Sequence, residues 1–362
     1  MKTISVLIKP ASSLCNLRCR YCFYADVSQN REVSSQGVMK EDTLNALVDG
    51  IYDYIGQDGV ANISFQGGEP TVAGIDYFKE FAELVDQKKM KVNWSMQTNG
   101  TLLNDDFARF FKEHKFLLGI SLDGYKQIHD RNRYDARKQG AFDRVLKGIE
   151  LFEKHGVEYN ILTVVTRQLS RHPKELFDFY KNHKFQYIQL IPCLPELDGN
   201  DPSGLALRAG EYASFYNSFF DAWKKEIQSG GFMSINLFEN VQAMLMGQSP
   251  YQCGMIGHCS KQFVIEGNGD VYPCDFYCLD EWKLGNVKED NFDTMQNSIN
   301  AKRFIETSQC KKAPCDKCKY VGICSGGCRR QNVCYLTDSF CAYKKVLDHI
   351  VSGLVELTRQ MR

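Results

Sequence analysis

Fifteen cysteines stand among 362 residues, and they are unevenly placed. Cys15, Cys19 and Cys22 fall within eight residues, Cys193 stands alone, and the other eleven lie between Cys253 and Cys341. An odd number cannot be fully paired, and a chain of this length needs no disulfides to build a core. Clustered thiols in such a chain read as metal ligands or redox groups. Three thiolates on a loop after a strand suit a soft metal centre, and three instead of four leave one position open to substrate or cofactor. A zinc site with its fourth ligand elsewhere is the alternative that the triplet alone leaves open. The second group reads C-x9-G-x4-C from Cys259 through Gly269 to Cys274, then C-x2-C-x5-C-x3-C from Cys315 to Cys328, then Cys341. With Cys253 these are eight thiols, enough for two complete four-cysteine sites, a zinc ribbon being the alternative. Cys193, Cys278, Cys310 and Cys334 remain, and free cysteine is commonly a small apolar filler. Cys334 also competes with Cys341 as the last ligand.

The elements that must position these groups alternate along the first 190 or so residues. Apolar, β-rich runs at Ile4–Ile8, Ala61–Phe65, Val92–Met96, Phe116–Ser121, Tyr159–Val165 and Tyr187–Ile191 are expected strands. Helical spacing appears at Glu41–Tyr54, Ile75–Gln87, Asp105–His114, Phe142–His155 and Lys174–Asn182. Six β-then-α units imply parallel strands with crossover helices, in an open sheet or a partial barrel. Polar or glycine-rich clusters follow nearly every strand: CNLRCRYC, QGGEP, QTNGT, SLDG. That distribution favours a partial barrel, whose site is assembled from many strand ends, over a sheet with one switch point. Residues 1–230 are read as this α/β barrel, 231–341 as a small cysteine-rich domain, and 342–362 as a closing helix. Within them Gly210–Gln228 carries an aromatic stripe read as core, Phe263–Cys274 a hairpin turned by GNGD, and Tyr343–Arg362 the final helix.

Composition narrows the partners. Hydrophobic residues are 43% and charged ones 24%, an ordinary globular balance that rules out a largely disordered chain. Lys plus Arg and Asp plus Glu each number 44, so no global basic field draws nucleic acid or an anionic membrane. No apolar run approaches the roughly 20 residues of a membrane span, and the N-terminus lacks signal-peptide features. The expectation is a cytoplasmic protein without nucleic-acid or membrane partners.

Tyr21 directly before Cys22, the triplet itself and GGEP near residue 68 resemble the radical S-adenosylmethionine (SAM) superfamily. That resemblance implies a partial (β/α)6 barrel and a [4Fe–4S] cluster on Cys15, Cys19 and Cys22. The open iron would bind SAM, whose reductive cleavage gives a 5′-deoxyadenosyl radical. By the same resemblance Gly67, Gly68 and Glu69 contact the SAM amino group, and Ser121 and Arg133 position its ribose or carboxylate. The later cysteines resemble the SPASM extension with two auxiliary [4Fe–4S] clusters. This implies Cys253, Cys259, Cys274 and Cys328 for the first and Cys315, Cys318, Cys324 and Cys341 for the second; FCAYKK favours Cys341 over Cys334.

Across the whole chain LIKPASSLCNLRCRYCFY, FQGGEPT, SMQTNGT and QFVIEGNGDVYPCDFY resemble the anaerobic sulfatase-maturating enzymes. Those enzymes oxidise a Cys or Ser in a sulfatase Cys/Ser-x-Pro-x-Arg motif to Cα-formylglycine. The resemblance implies Asp275 as the base, Tyr24 and Gln66 at the substrate, a sulfatase polypeptide as partner, and flavodoxin or ferredoxin as reductant. Another SPASM peptide maturase, forming a thioether or carbon–carbon link, is the alternative. With a first strand starting by Thr3, no leader-binding domain is expected before it.

Overall fold

The computed structural model describes residues 1–309 and 311–360. Cys310, read above as a filler, and Met361 and Arg362, at the end of the expected closing helix, lie outside the described residues. In chain order the strands are β1 (Thr3–Ile8), β2 (Val60–Phe65), β3 (Lys91–Thr98), β4 (Leu117–Ser121) and β5 (Glu158–Val165). They continue as β6 (Tyr187–Pro192), β7 (Ser234–Ile235), β8 (Phe263–Ile265), β9 (Asp270–Tyr272) and β10 (Gly285–Asn286). Packing divides the chain into two compact units that interleave in sequence. One comprises Met1–Ser121, Arg133–Tyr159 and Lys261–Phe304; the other comprises Leu122–Asn132, Asn160–Ser260 and Ile305–Arg362.

In the first unit β1 to β4 run parallel, with Ile8 opposite Phe65 and Phe65 opposite Met96. Ile4, Val6 and Ile8 alternate with more exposed neighbours, the period of two expected of a strand with one face in a core. The crossover helices Glu41–Ile55, Ile75–Gln87, Asp105–Glu113 and Phe142–His155 cover the sheet. Asn104 caps one of them by accepting from the Phe107 N–H at 3.0 Å, and Gly156 ends another in a left-handed turn at φ +65°. Phe65 is sealed between Phe78 and Phe81, edge to face with centroids 5.1 and 5.4 Å away. Truncating it to Ala would cost about 3–5 kcal/mol.

The expected hairpin is present as antiparallel β8 and β9, with Gly269 at φ +92° in its turn. Its placement is the feature that builds the site. β8 pairs parallel with β1, Val6 opposite Phe263, and the Lys9 N–H donates to the Ile265 carbonyl at 2.8 Å. The segment after β9 thereby arrives beside the C-terminal end of β1, some 270 residues away in sequence.

In the second unit β5, β6 and β7 are parallel. The helix Ala209–Gln228 buries Tyr212, Phe215, Phe219 and Phe220, the stripe expected from spacing. Trp223 remains half-buried and donates its indole N–H to the Met233 carbonyl at 2.7 Å. The closing helix Ala342–Gln360 buries Val346, Leu347 and Ile350. It lies close to the aromatic helix at Gly353, where a Cβ would stand 2.3 Å from the Phe220 ring.

Candidate active site and cysteine centres

The triplet loop follows β1 and is clamped by the end of β2. Gly68 N–H donates to the Ser12 carbonyl and Glu69 N–H to the Leu14 carbonyl, both at 2.9 Å. A Cβ on Gly68 would sit 2.1 Å from the Leu14 carbonyl oxygen, and one on Gly67, at φ +128°, 2.8 Å from that of Ser12. The two glycines therefore let β2 touch the backbone that carries Cys15. Glu69 is buried at 1% exposure and accepts four hydrogen bonds. Oε1 takes the Thr71 N–H at 3.1 Å and the hydroxyls of Thr71 and Thr98 at 2.6 and 2.7 Å; Oε2 takes the Asn99 N–H at 2.6 Å. Burial pushes its pKa up against these donors. Asn99 in turn donates to Asn16 Oδ1 at 2.8 Å and reaches Cys15 Sγ at 3.9 Å. A chain of hydrogen bonds thus runs from the GGE corner to the first thiol.

The three thiols are half-buried. Burial pushes Cys15 up to about 11, partly offset by the Leu17 N–H at 3.3 Å from its sulfur. Cys22, at the N-cap of Phe23–Gln29, is also pushed up by burial, with the N–H groups of Ala25 and Tyr24 and the Arg133 charge opposing. Arg133 is 5.4 Å from the Tyr21 ring centroid, within cation–π range. These residues fit an iron–sulfur centre: soft thiols backed by N–H donors, whose deprotonation a bound metal would drive.

Where β1 and β9 end, a second buried group forms. Lys9, its side chain 2% exposed, places Nζ 3.3 Å from Asp275 Oδ1, 3.3 Å from Glu266 Oε1 and 3.2 Å from Cys278 Sγ. Its ammonium stands 4.5 Å from the Tyr24 ring centroid, and the Tyr24 hydroxyl donates to Asp275 Oδ2 at 2.6 Å. Arg31 closes the set on Glu266 at 2.6 Å. Burial opposes the Lys9 charge, but Cys278, Glu266 and Asp275 outweigh it and keep the ammonium protonated. Burial raises Asp275 above the usual carboxylate range, with Lys9 and Tyr24 pulling back. Glu266 resists burial through Lys9 and Arg31 and stays ionised. Cys278 is buried, but it is a polar partner of Lys9 as well as a filler, with its thiol pushed up to about 12 by burial.

In the second unit Cys315, Cys318, Cys324 and Cys341 line one cavity, together with Tyr320, Val321, Leu336, Tyr343 and Leu347. Cys334 is not on it: that thiol is fully buried and hydrogen-bonded to the Cys193 carbonyl at 3.4 Å. The Lys344 N–H points at Cys341 Sγ at 3.4 Å. Cys253, Cys259 and Cys328 form a separate group of this unit, with the Cys328 N–H donating to Gly254 at 2.9 Å and the Arg330 N–H reaching Cys328 Sγ at 3.4 Å. Cys274 belongs to the first unit, next to Asp275. Among the described residues no three His, Cys, Asp or Glu converge on a point that would hold a single metal ion. Four thiols lining one cavity are the ligand number of a [4Fe–4S] cluster, in which each thiolate has its own iron.

The radical SAM superfamily model matches residues 10–180, and the SPASM model, an iron–sulfur cluster-binding domain, matches residues 253–319. A cysteine-type anaerobic sulfatase-maturating enzyme of Clostridium novyi is 45% identical over 334 residues, covering 91% of this chain and 89% of its own. The chain belongs to the anaerobic sulfatase-maturating family of radical SAM enzymes. A serine-type member from Bacteroides thetaiotaomicron is 32% identical, covering 90% of this chain and 83% of its own. The solved structure of native anSMEcpe with bound AdoMet and Kp18Cys peptide has a TM-score of 0.90 at 36% identity, covering 99% of this chain and 100% of its own. The α/β class with a parallel sheet and a SPASM module, expected from sequence, is that of this radical SAM enzyme.

Within this family member the first unit brings together Cys15, Cys19, Tyr21, Cys22, Gly67, Gly68, Glu69 and Arg133, while Ser121 stands at the end of β4. Tyr24 and Asp275 meet directly, and Gln66 follows β2 with its N–H on the Ile8 carbonyl at 2.9 Å. Sequence reasoning missed Lys9, Arg31 and Glu266, and it singled out no residue of QTNGT, where Thr98 and Asn99 hold the Glu69 carboxylate. The one available signal for Lys9 was a lysine ending an apolar strand immediately before the triplet loop.

Proposed function

We propose that this chain oxidises the Cys or Ser of a sulfatase Cys/Ser-x-Pro-x-Arg motif to Cα-formylglycine. The observation that carries this reading is the Asp275 carboxylate, held by Tyr24 at 2.6 Å and Lys9 at 3.3 Å in the unit that carries the Cys15–Cys22 loop. When bound, SAM and the [4Fe–4S] centres supply the radical that takes hydrogen from the substrate Cβ and an acceptor for the second electron. The protein's own task is the proton. Asp275, raised by burial toward the range of a general base, takes it from the substrate hydroxyl or thiol, which gives the aldehyde directly from Ser and, from Cys, a thioaldehyde that water hydrolyses with loss of sulfide. Tyr24 fixes one carboxylate oxygen, Lys9 stabilises the charge on the other, and Gln66 borders the substrate. Cys15, Cys19 and Cys22 hold the SAM-binding cluster, and the eight later cysteines hold two auxiliary clusters, three [4Fe–4S] centres in all. Gly67, Gly68, Glu69, Ser121 and Arg133 place SAM, with flavodoxin or ferredoxin as electron donor and a sulfatase polypeptide as substrate. The modules are residues 1–230, 231–341 and 342–362, and the setting is cytoplasmic. The similarity to cysteine-type relatives supports cysteine as the preferred target.

The test is anaerobic turnover of reconstituted protein with SAM, a strong reductant and peptides carrying Cys, Ser or Ala at the target position. Aldehyde on the Cys peptide, less on Ser and none on Ala, with matching 5′-deoxyadenosine, is the expected outcome. Accumulation of 5′-deoxyadenosine with every peptide unmodified would refute the substrate assignment.

A further inference from the structure

Tyr343 is the second residue of the closing helix and lies two positions after Cys341. It is 4% exposed, and its hydroxyl is buried without a hydrogen-bond partner. A buried tyrosine hydroxyl ordinarily finds a partner, since leaving one unpaired costs roughly 1–3 kcal/mol. The ring sits among aromatics, tilted against Tyr335 at 5.3 Å and edge to face with Tyr212 at 6.5 Å by centroid. Its other surroundings are the cavity of Cys315, Cys318, Cys324 and Cys341. Three further polar side chains line that cavity: the Tyr320 hydroxyl donates to Asp348 at 3.0 Å, the Lys344 ammonium donates to it at 2.6 Å, and Tyr335 is the third. Around them the wall is Pro314, Val321, Leu336 and Leu347, which offer no side-chain acceptor. The electrostatic neighbours of Tyr343 are the thiols of Cys324 and Cys341 and the hydroxyls of Tyr216 and Tyr335; of these acceptors the sulfurs are the ones that carry charge once a cluster is bound, and a charged acceptor makes the stronger hydrogen bond.

We infer that the Tyr343 hydroxyl is a hydrogen-bond donor to the iron–sulfur cluster of Cys315, Cys318, Cys324 and Cys341, and that it raises the reduction potential of that cluster. This rests on the reading that these four thiols hold an auxiliary cluster. Reduction adds one electron to a group whose sulfurs already carry negative charge, so a donor aimed at sulfur stabilises the reduced form more than the oxidised form. Tyr343 is thus a tuning residue of the auxiliary centre, placed where an acceptor for a substrate-derived electron would need its potential set.

The test uses the full chain with Cys15, Cys19 and Cys22 replaced by Ala, which removes the signal of the first centre. After anaerobic reconstitution, an EPR-monitored redox titration is run with and without Tyr343→Phe, and Cys318→Ala assigns the signal. The expected result is unchanged iron and sulfide in Tyr343→Phe, with the Cys318-dependent midpoint moved to lower potential. At a fixed potential the reduced-to-oxidised ratio should fall about tenfold, a shift of about 59 mV for a one-electron couple. A Cys318-dependent cluster indifferent to Tyr343→Phe would overturn the inference and leave the site standing. Iron content and signals that survive Cys318→Ala would instead overturn the site itself. Should Tyr343→Phe load poorly, 3-fluorotyrosine at position 343 keeps the ring and strengthens the donor. The midpoint should then rise, and an unmoved midpoint would again overturn the proposal.

Discussion

Glu69 and Asp275 are carboxylates of the first unit, the one buried and the other 14% exposed at its side chain, and they are held in opposite ways. Glu69 accepts from two hydroxyls and two backbone N–H groups, three of the four on Oε1, so neutral donors fix the carboxylate while Oε2, with one donor, keeps acceptor capacity. Asp275 has one hydroxyl on Oδ2 and an ammonium 3.3 Å from Oδ1, within a nest of buried charge that includes Glu266 and Arg31. Fixing by neutral donors makes a brace. A carboxylate with acceptor capacity to spare and a cation beside it can exchange a proton, because the cation compensates the charge that remains. In the proposed reading the same side-chain chemistry therefore serves positioning in one place and proton transfer in the other, and the difference lies in the partners.

Replacing the carboxylate proposed as the base should give the largest effect. In Asp275→Asn, formylglycine formation is expected to fall about 10²–10⁴-fold, the range of a lost general base, while 5′-deoxyadenosine is still produced. Mass spectrometry of both products checks this, and full aldehyde formation in the variant would remove Asp275 from the mechanism. Glu266→Gln comes next. It leaves Lys9 and Arg31 without their shared counter-charge, at a cost of about 3–5 kcal/mol in denaturant unfolding. Glu266 is held below its ordinary value of 4.5, so its stabilisation is complete above that pH and is lost as pH falls through its folded value. The acid limb of the stability curve should accordingly flatten in the variant. Gly68→Ala attacks the brace instead. A Cβ 2.1 Å from the Leu14 carbonyl must push the triplet loop aside, and both 5′-deoxyadenosine and aldehyde should fall together, about 100-fold for a displacement near 1 Å. Loss of aldehyde alone would mean that the GGE corner does not hold the loop.

The brace was more legible in sequence than the charge nest. Local patterns carry their own evidence: Ile75–Gln87 and Phe142–His155 are helices over the very spans their periodicity predicts. The triplet, GGEP and QTNGT likewise lie on consecutive strand ends, where parallel strands bring neighbours together. Lys9 had no such help. In LIKPASS it reads as a charge at the edge of a strand, and nothing near it in sequence marks it as buried. Its partners Glu266, Asp275 and Cys278 reach it only because β8 pairs with β1, a register that no periodicity encodes. The helix Phe23–Gln29 was hidden for a different reason: it is short, buries only Val27 and Ser28, and starts without a side-chain cap.

The finest test of the comparison is Tyr24→Phe. Removing the hydroxyl deletes one hydrogen bond to a charged oxygen, about 1.4 kcal/mol, or a tenfold loss in aldehyde formation. The pH dependence separates a role in tuning from a role in packing. Burial raises Asp275 and the Tyr24 hydroxyl lowers it, so the variant carboxyl should titrate at a higher pH than the native one. Because the base must be ionised, the rate climbs as pH rises through that value, and in Tyr24→Phe the climb shifts to higher pH. The deficit should then be greatest at low pH and shrink as both proteins become fully ionised. A constant deficit at every pH would mean that Tyr24 only fills space, and that the contrast between the two carboxylates depends on Lys9 alone.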